Sequence, residues 1–312
     1  MDIKKYSQEN KNIWDEFIQN SKNGLFLFFR DFMEYHSDRF EDNSLMFFDE
    51  NERLMAVLPA NRVGNSLYSH QGLTFGGIIT DKKMTTVSIL QIFEELKQYL
   101  KQANIEKVIY KPVPYIYHLF PSEEAIYALY RQGAKIIKQE PSSLVYLESK
   151  IKFSKGKKCG ISKAKKSNLE IKESNDYASF FRIEEQILKD KYDTKPTHSV
   201  EEMSMLSAKF PDNIKLFGVF KGEEMIAGSV IFKNNNTIHT QYIGANFEGK
   251  ELGAIDYLMD YLINDLYKDE KYFSFGISTE DNGLVLNEGL ISQKEMFGAR
   301  TVILSTYEWN LN

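Results

Sequence analysis

The chain has 312 residues, 42% hydrophobic and 27% charged, with a net charge of −5, so it suits two cores of ~150 residues better than one. The acidic balance argues against a general nucleic-acid binder, and no apolar stretch approaches the ~20 residues of a membrane span. The opening MDIKKYSQEN lacks the apolar region of a secretory signal. A single cysteine, Cys159, forbids an internal disulfide; it points to a reducing cytoplasm and makes structural zinc unexpected.

The first elements are a strand at IKKYS from Ile3 and a helical pattern around Ile13, Trp14 and Phe17. Phe26, Phe28, Phe29, Phe47, Phe48 and Phe75 read as core. YHSDRFED packs Tyr35, His36, Asp38, Arg39 and Asp42 into eight residues; it reads either as a capped polar connection or as a place where Arg39 grips a phosphate bidentately. LMFFDENERLMAV from Leu45 is a hairpin pattern, followed by a strand at SLYSHQG, a helix, and the strand KVIYKPV ending at Lys111. Gly133-Ala134-Lys135 marks a helix end.

Residues 150–166 then hold eight lysines and no acid. They read as a solvated linker, or as a basic segment facing phosphates in an otherwise acidic protein. Cys159 lies among them.

The remainder repeats the first part. LEIKES from Leu169 opens as IKKYS does, and a helix follows around Phe180, Ile183 and Ile187. LFGVFKGEEMIAG repeats the hairpin, with residue 45 falling on 216, and the same offset carries Ser66 onto Thr237. Further on Lys107 falls on Tyr272 and Gly133 on Gly298, an offset shorter by six residues that fits one shortened helix. Each copy runs strand, helical region, three strands, helix, strand, helix, strand. The expectation is a duplicated α/β domain (α+β mixed sheet) with flanking helices, divided as 1–150, a lysine-rich linker 151–168, and 169–312.

The sharpest chemical signal is in the second copy. The strand TIHTQYIGAN, the glycine-bearing FEGKELGA and the helix IDYLMDYLINDLY form a strand, loop and helix start. In that order free N–H groups and the helix dipole face an anion, and Gly249 and Gly253 let a phosphate approach. His239 and Gln241 alternate onto one strand face, and His70 aligns with Gln241. Glu280 and Asp281 stand at the strand end matching Lys111, where ligands collect in mixed sheets. Asp281 reads as the cap of the following helix.

The second copy resembles a GCN5-related N-acetyltransferase (GNAT) domain over residues 169–309. The resemblance implies that acyl-CoA is the cosubstrate, its pantetheine arm lying along Tyr242, Ile243, Gly244 and Ala245. The same resemblance implies that its pyrophosphate sits at Gly249, Lys250, Gly253 and Ala254, with Asn287 also contacting CoA. The family often has a tyrosine on its last helix, and NGLVLNEGLISQKEMFG has none. The whole chain is similar to the Fem-like acyltransferases. FRDFMEYHSDRFEDNSL, YSHQGLTFGGII, YKPVPYIYHLFP, KPTHS and FGISTEDNGLVLNEGLISQKEMFGA resemble acyltransferases found with bacterial surface-polysaccharide genes. That implies transfer of an acyl group to the amine of a nucleotide-linked deoxyamino sugar, held in a cleft between the copies. His36, Arg39, His70, Lys111, Tyr117, Gln241 and Glu280 would hold that acceptor, and His239 or His198 would take its proton. Positioning alone is the alternative. A metal, a nucleic-acid partner and stable membrane association are not expected, and the cell location implied is the bacterial cytoplasm; the reading is compatible with a homo-oligomer. Two competing readings are a Fem-type ligase using charged tRNA and a duplicated binding module without chemistry.

Overall fold

The structure, a computed structural model, describes residues 1–192 and 194–312, with side chains 190–192 also left undescribed. The chain divides into two compact units: Met1–Glu140 with Leu304–Asn312, and Pro141–Ile303.

In the first unit β1 (Asp2–Lys5), α1 (Lys11–Asn20) and α2 (Arg30–Met33) are followed by five strands: β2 (Glu41–Asp42), β3 (Leu45–Phe48), β4 (Leu54–Leu58), β5 (Asn61–Val63) and β6 (Ser66–Tyr68). Then come β7 (Ile79–Thr80), α3 (Thr86–Gln102), β8 (Lys107–Tyr110), α4 (Glu124–Arg131) and β9 (Lys135–Tyr146), which leads into the second unit. β1, β3, β4 and β7 form one sheet in that order. β3 and β4 are the expected hairpin, Leu45 opposite Leu58. A second sheet orders the C-terminal strand, β8, β6, β5 and β2. α3 starts where the Thr85 side chain accepts from Ser88 N. Its stripe Ile89, Ile92, Phe93, Leu96 and Leu100 repeats at helical spacing and joins Trp309 in one core. Phe26, Phe28, Phe47 and Phe75 are buried, while Phe29 and Phe48 are half-buried.

The second unit begins with a correction. The lysine-rich stretch 151–168, read as a linker, holds helix α5 (Lys155–Lys166), capped by Ser154. Lysine is a good helix former, and Ile161 and Ala164 give the helix a buried side. Lys157 and Lys165 pair with Asp256 at 2.7 Å and Asp260 at 3.3 Å. The unit continues with β10 (Glu170–Ser174), α6 (Tyr177–Tyr192), α7 (Val200–Lys209), β11 (Ile214–Lys221), β12 (Glu224–Asn234) and β13 (Thr237–Ala245). After these come α8 (Phe247–Leu252), α9 (Ala254–Tyr261), a π turn at Leu262–Leu266, β14 (Tyr272–Ile277), the small ribbon β15 (Thr279–Glu280) and β16 (Val285–Leu286), α10 (Glu288–Glu295) and β17 (Arg300–Asn310), which returns to the first unit. The sheet order is β10, β11, β12, β13, β14, β9. β11 and β12 form the second expected hairpin around Gly222, whose φ of +62° the turn requires. Both copies thus build mixed sheets flanked by helices.

Candidate active site

The site follows from one irregularity in β13. That strand pairs with β14 in parallel at only three positions, ending at His239 opposite Ser274. Beyond them it continues to Ala245 paired with β12. The β12 register slips there: Val230 faces Tyr242, but Ile231 faces Thr240. Gln241 is the extra residue of a β-bulge, which bends the strand and shifts its side-chain phase. The core confirms that shift, since Ile238, Ile243 and Ala245 all pack into it, an even position with two odd ones. His239 therefore shares its face with Tyr242 and Gly244. The simple alternation that paired it with Gln241 is corrected. Among the described residues, the edge of β13 past Thr240 has no strand partner on the β14 side, and such an edge suits an extended amide-bearing chain.

At the mouth of this gap His239 Nδ1 lies 3.2 Å from Ser274 Oγ. Burial, and then Lys294, push its pKa down to about 4, so the imidazole is neutral at pH 7. Gly276 faces it: with φ +71°, a Cβ there would come within 3.2 Å of the imidazole. Ser143 is directly opposite Gly276 and so on the same face; its buried hydroxyl has no hydrogen-bond partner among the described residues. Lys294 of α10 is buried, its ammonium donating to the carbonyls of Gly276 at 3.1 Å and Ile277 at 2.6 Å. Burial lowers its pKa to about 8. No local signal marks Lys294, which lies in a polar helix.

α6 and α7 supply the opposite wall. The phenol of Tyr242 is 2.7 Å from His198 Nδ1, and His198 N donates to it at 3.3 Å. Burial raises the Tyr242 pKa to about 12. Glu184 of α6 is buried against Gly244, and burial raises its pKa to about 7. It too is missing from the residues expected from sequence. The available signal is an acid on the apolar stripe of Phe180, Ile183 and Ile187. A cavity of about 560 Å³ opens at the end of β13, lined by Arg182, Gln186, Asn246, Phe247 and Lys250 among others.

The expected phosphate loop at 249–254 is instead helical, which is a further correction. Asn246 caps α8 by accepting from Gly249 N at 2.8 Å. Gly249 is buried, and a Cβ there would strike the Ile226 carbonyl. Gly253, at φ +73°, separates α8 from α9, and a Cβ would come within 2.6 Å of Gly160 O in α5. Both glycines thus have packing roles, and Ala254 is buried with them. Lys250 is exposed at the cavity rim. Asn287, not Asp281, caps α10: it accepts from Leu290 N at 3.0 Å and donates to Glu280 at 2.9 Å. Asp281 has φ +45° in the β15–β16 turn.

Of the first-unit candidates, His36, His70 and Lys111 lie near one another. His36 and His70 stack at 5.3 Å, with His36 Nε2 3.1 Å from Gly72 O. His70 has φ +65°, and burial, then His36, lower its pKa to about 3. Lys111 donates to Leu73 O at 2.6 Å, and burial, then Lys138, lower its pKa to about 8. Tyr117 is core, against Phe75 at 5.0 Å. Arg39 is exposed, with Tyr35 beneath it. Cys159 is exposed on α5 between Lys155, Lys158, Ser162 and Lys163.

No protein-family model matches the sequence, and neither does any curated protein. Among solved structures, FemX superposes with a TM-score of 0.69 at 10% identity, over 100% of this chain and 98% of that chain. L-PGS from Bacillus licheniformis gives 0.61 at 14%, over 99% and 93%. A tandem GNAT protein from the clavulanic acid biosynthesis pathway gives 0.51 at 7%, over 100% and 98%. The chain has a Fem/GNAT-like tandem fold. At these identities the likeness is one of fold. Among the described residues no helix is long and apolar enough to cross a membrane, and no three His, Cys, Asp or Glu side chains gather as metal ligands.

Proposed function

We propose that this chain is an N-acyltransferase that moves an acyl group from acyl-CoA to the amine of a nucleotide-linked deoxyamino sugar, a step in building bacterial surface polysaccharide in the cytoplasm. The observation that carries this reading is the bulged, half-unpaired β13, with His239, Ser274 and Lys294 at the point where it parts from β14. Such an edge pairs with the amides of a pantetheine arm and brings its thioester to the mouth of the gap. The acceptor amine attacks the acyl carbon, a C–N bond forms, and the C–S bond breaks. The negative oxygen of the tetrahedral intermediate is steadied by edge N–H groups and by the nearby Lys294 ammonium. His239, neutral and held by Ser274, orients the reacting groups; a pKa of about 4 makes it a weak base at pH 7. The sugar and its nucleotide rest on the sequence resemblance.

A second reading has its own support. A Fem-type transferase taking an aminoacyl group from charged tRNA has no need of a pyrophosphate loop at 249–254, and that segment is a packed helix. Thermal shift decides between the two. Under the first reading a CoA thioester raises the melting temperature, and an amino-sugar nucleotide then releases free thiol. A shift with charged tRNA and with no CoA thioester moves the assignment to the second.

A further inference from the structure

The hydroxyl of Ser274 fixes which nitrogen of His239 carries its hydrogen. Ser274 is 1% exposed, so its O–H needs an acceptor inside the protein. Among the described residues its Oγ has two partners, His239 Nδ1 at 3.2 Å and Gly276 N at 3.3 Å. A backbone N–H only donates. Gly276 therefore gives its hydrogen to Oγ, and Nδ1 is the acceptor left for the hydroxyl's own hydrogen. A ring with its hydrogen on Nδ1 would leave that buried O–H unsatisfied, which is costly. The nearby Lys294 ammonium opposes a hydrogen on both nitrogens at once. The ring is thus neutral, with Nδ1 bare and the hydrogen on Nε2.

That hydrogen faces the point where the strands part. His239 and Ser274 are the last parallel pair of β13 and β14. The ring is half-buried, and Nε2 has no hydrogen-bond partner among the described residues. Its Cε1–Nε2 edge is turned toward Gly276: a Cβ there would come 3.2 Å from Cε1 and 3.8 Å from Nε2. Glycine leaves this edge of the ring uncovered. A nitrogen that already holds a hydrogen in the ring plane has no lone pair with which to take a proton. It can only give a hydrogen bond, and a fixed donor is what a developing oxyanion requires.

Resting on the acyl-transfer reading, we propose that His239 is an N–H donor to the acyl oxygen, its Nε2–H directed at the thioester where β13 and β14 part, and that Ser274 is the positioning residue that selects this tautomer. As the amine nitrogen attacks, the C–N bond forms and the carbonyl oxygen takes the negative charge, facing Nε2–H. When the intermediate collapses the C–S bond breaks and the oxygen returns to a carbonyl. The surplus proton of the amine leaves with the sulfur as thiol. The imidazole gains and loses no proton, so amine and thioester give amide and thiol with every atom and charge accounted for.

Nitrogen NMR of the full chain labelled at histidine tests the tautomer without any substrate, with the His239 signals assigned by their loss in His239→Gln. At pH 7 Nδ1 should resonate as a bare nitrogen and Nε2 as an N–H nitrogen. Ser274→Ala should shift both signals toward the other tautomer, and Ser274→Thr should restore them. A hydrogen on Nδ1 in wild type, or on both nitrogens, overturns the proposal while leaving the acyl-transfer reading standing. Kinetics then tests the role, as thiol release from acetyl-CoA with dTDP- or UDP-linked deoxyamino sugars. His239→Ala should lower kcat and kcat/KM equally, by ~10²–10³-fold, as expected of an interaction made in the transition state. His239→Gln, whose amide brings an N–H near the place of Nε2, should recover about tenfold or more of that loss, which a lost base would not allow. A glutamine variant no faster than the alanine one overturns the donor role alone. Wild type inert toward acetyl-CoA and every such sugar overturns the acyl-transfer reading, and the donor role with it.

Discussion

The two copies begin the same gap and finish it differently. Ser66, Leu67 and Tyr68 pair in parallel with Lys107, Val108 and Ile109. Thr237, Ile238 and His239 pair in the same register with Tyr272, Phe273 and Ser274. Past that point the first copy fills its own gap. Ser69 N donates to Ile109 O at 2.9 Å, Lys111 N donates to the Ser69 hydroxyl at 2.7 Å, and Gly76 N donates to Lys111 O at 2.8 Å. In the second copy β13 runs on through a bulge, and side chains rather than a strand reach β14: Thr240 at Ser274 O, Lys294 at Gly276 O and Ile277 O. Duplication kept the pairing, and among the described residues the second copy's strand runs on past it paired to β12 alone. Under the acyl-transfer proposal it is the second copy's edge that takes the donor, whereas the first copy's edge is held by its own hydrogen bonds.

The comparison can be broken most sharply at its lysines. Lys294→Met should lower kcat ~10²–10³-fold, the usual loss when one donor to a developing oxyanion is removed. Lys111→Met in the closed copy should leave KM for the donor unchanged. Steady-state kinetics on both variants checks the pair, and equal effects would sink the distinction. Gly276→Ala comes next. Its φ of +71° and the nearness of His239 make a methyl both strained and obstructive, so kcat should fall by about tenfold or more and the melting temperature by a few degrees.

A titration of stability sharpens the same face. The folded pKa of Glu184 is raised to about 7 from 4.5, so its contribution is fully present below pH ~4.5 and is lost as pH rises through ~7, a change of about 3 kcal/mol. Relative to Glu184→Gln, wild type should lose melting temperature across that window, and parallel curves would show that Glu184 does not titrate there. The smallest effect is expected at Asn246→Ala, which removes the α8 cap at Gly249 N. It should cost about 1 kcal/mol in denaturant unfolding, and the acyl-CoA KM should stay as it was if the cap is only structural.

Much of the fold was legible because its signals are local. The hairpins show as paired apolar runs around Glu52 and Gly222, both at positive φ, and Gly133 and Gly298 close helices at matching places with φ of +74° and +84°. What escaped depends on partners far along the chain. Nothing within 151–168 announces that Asp256 and Asp260 will meet its lysines and fix a helix there. The glycines at 249 and 253 look like a phosphate loop until Ile226 and Gly160 are seen pressing against them. The bulge at Gln241 left a trace, since the apolar phase changes between Ile238 and Ile243, but only the β12 register makes it certain. His198 and His239 were visible as rare residue types. Glu184 and Lys294 were hidden by being common ones, and burial alone sets them apart.

The route of the chain has a consequence for synthesis. Residues 304–312 belong to the first unit, where Trp309 lies opposite Val108 and packs against Phe93 at 5.4 Å. A ribosome delivers the N-terminal unit first at ~5–20 residues per second, yet that unit lacks one strand and a core tryptophan until the whole second unit has emerged. The second unit has its full set of residues earlier. Vectorial folding should therefore run opposite to the order of translation, with the early unit waiting, its β8 edge exposed, for the last strand to arrive.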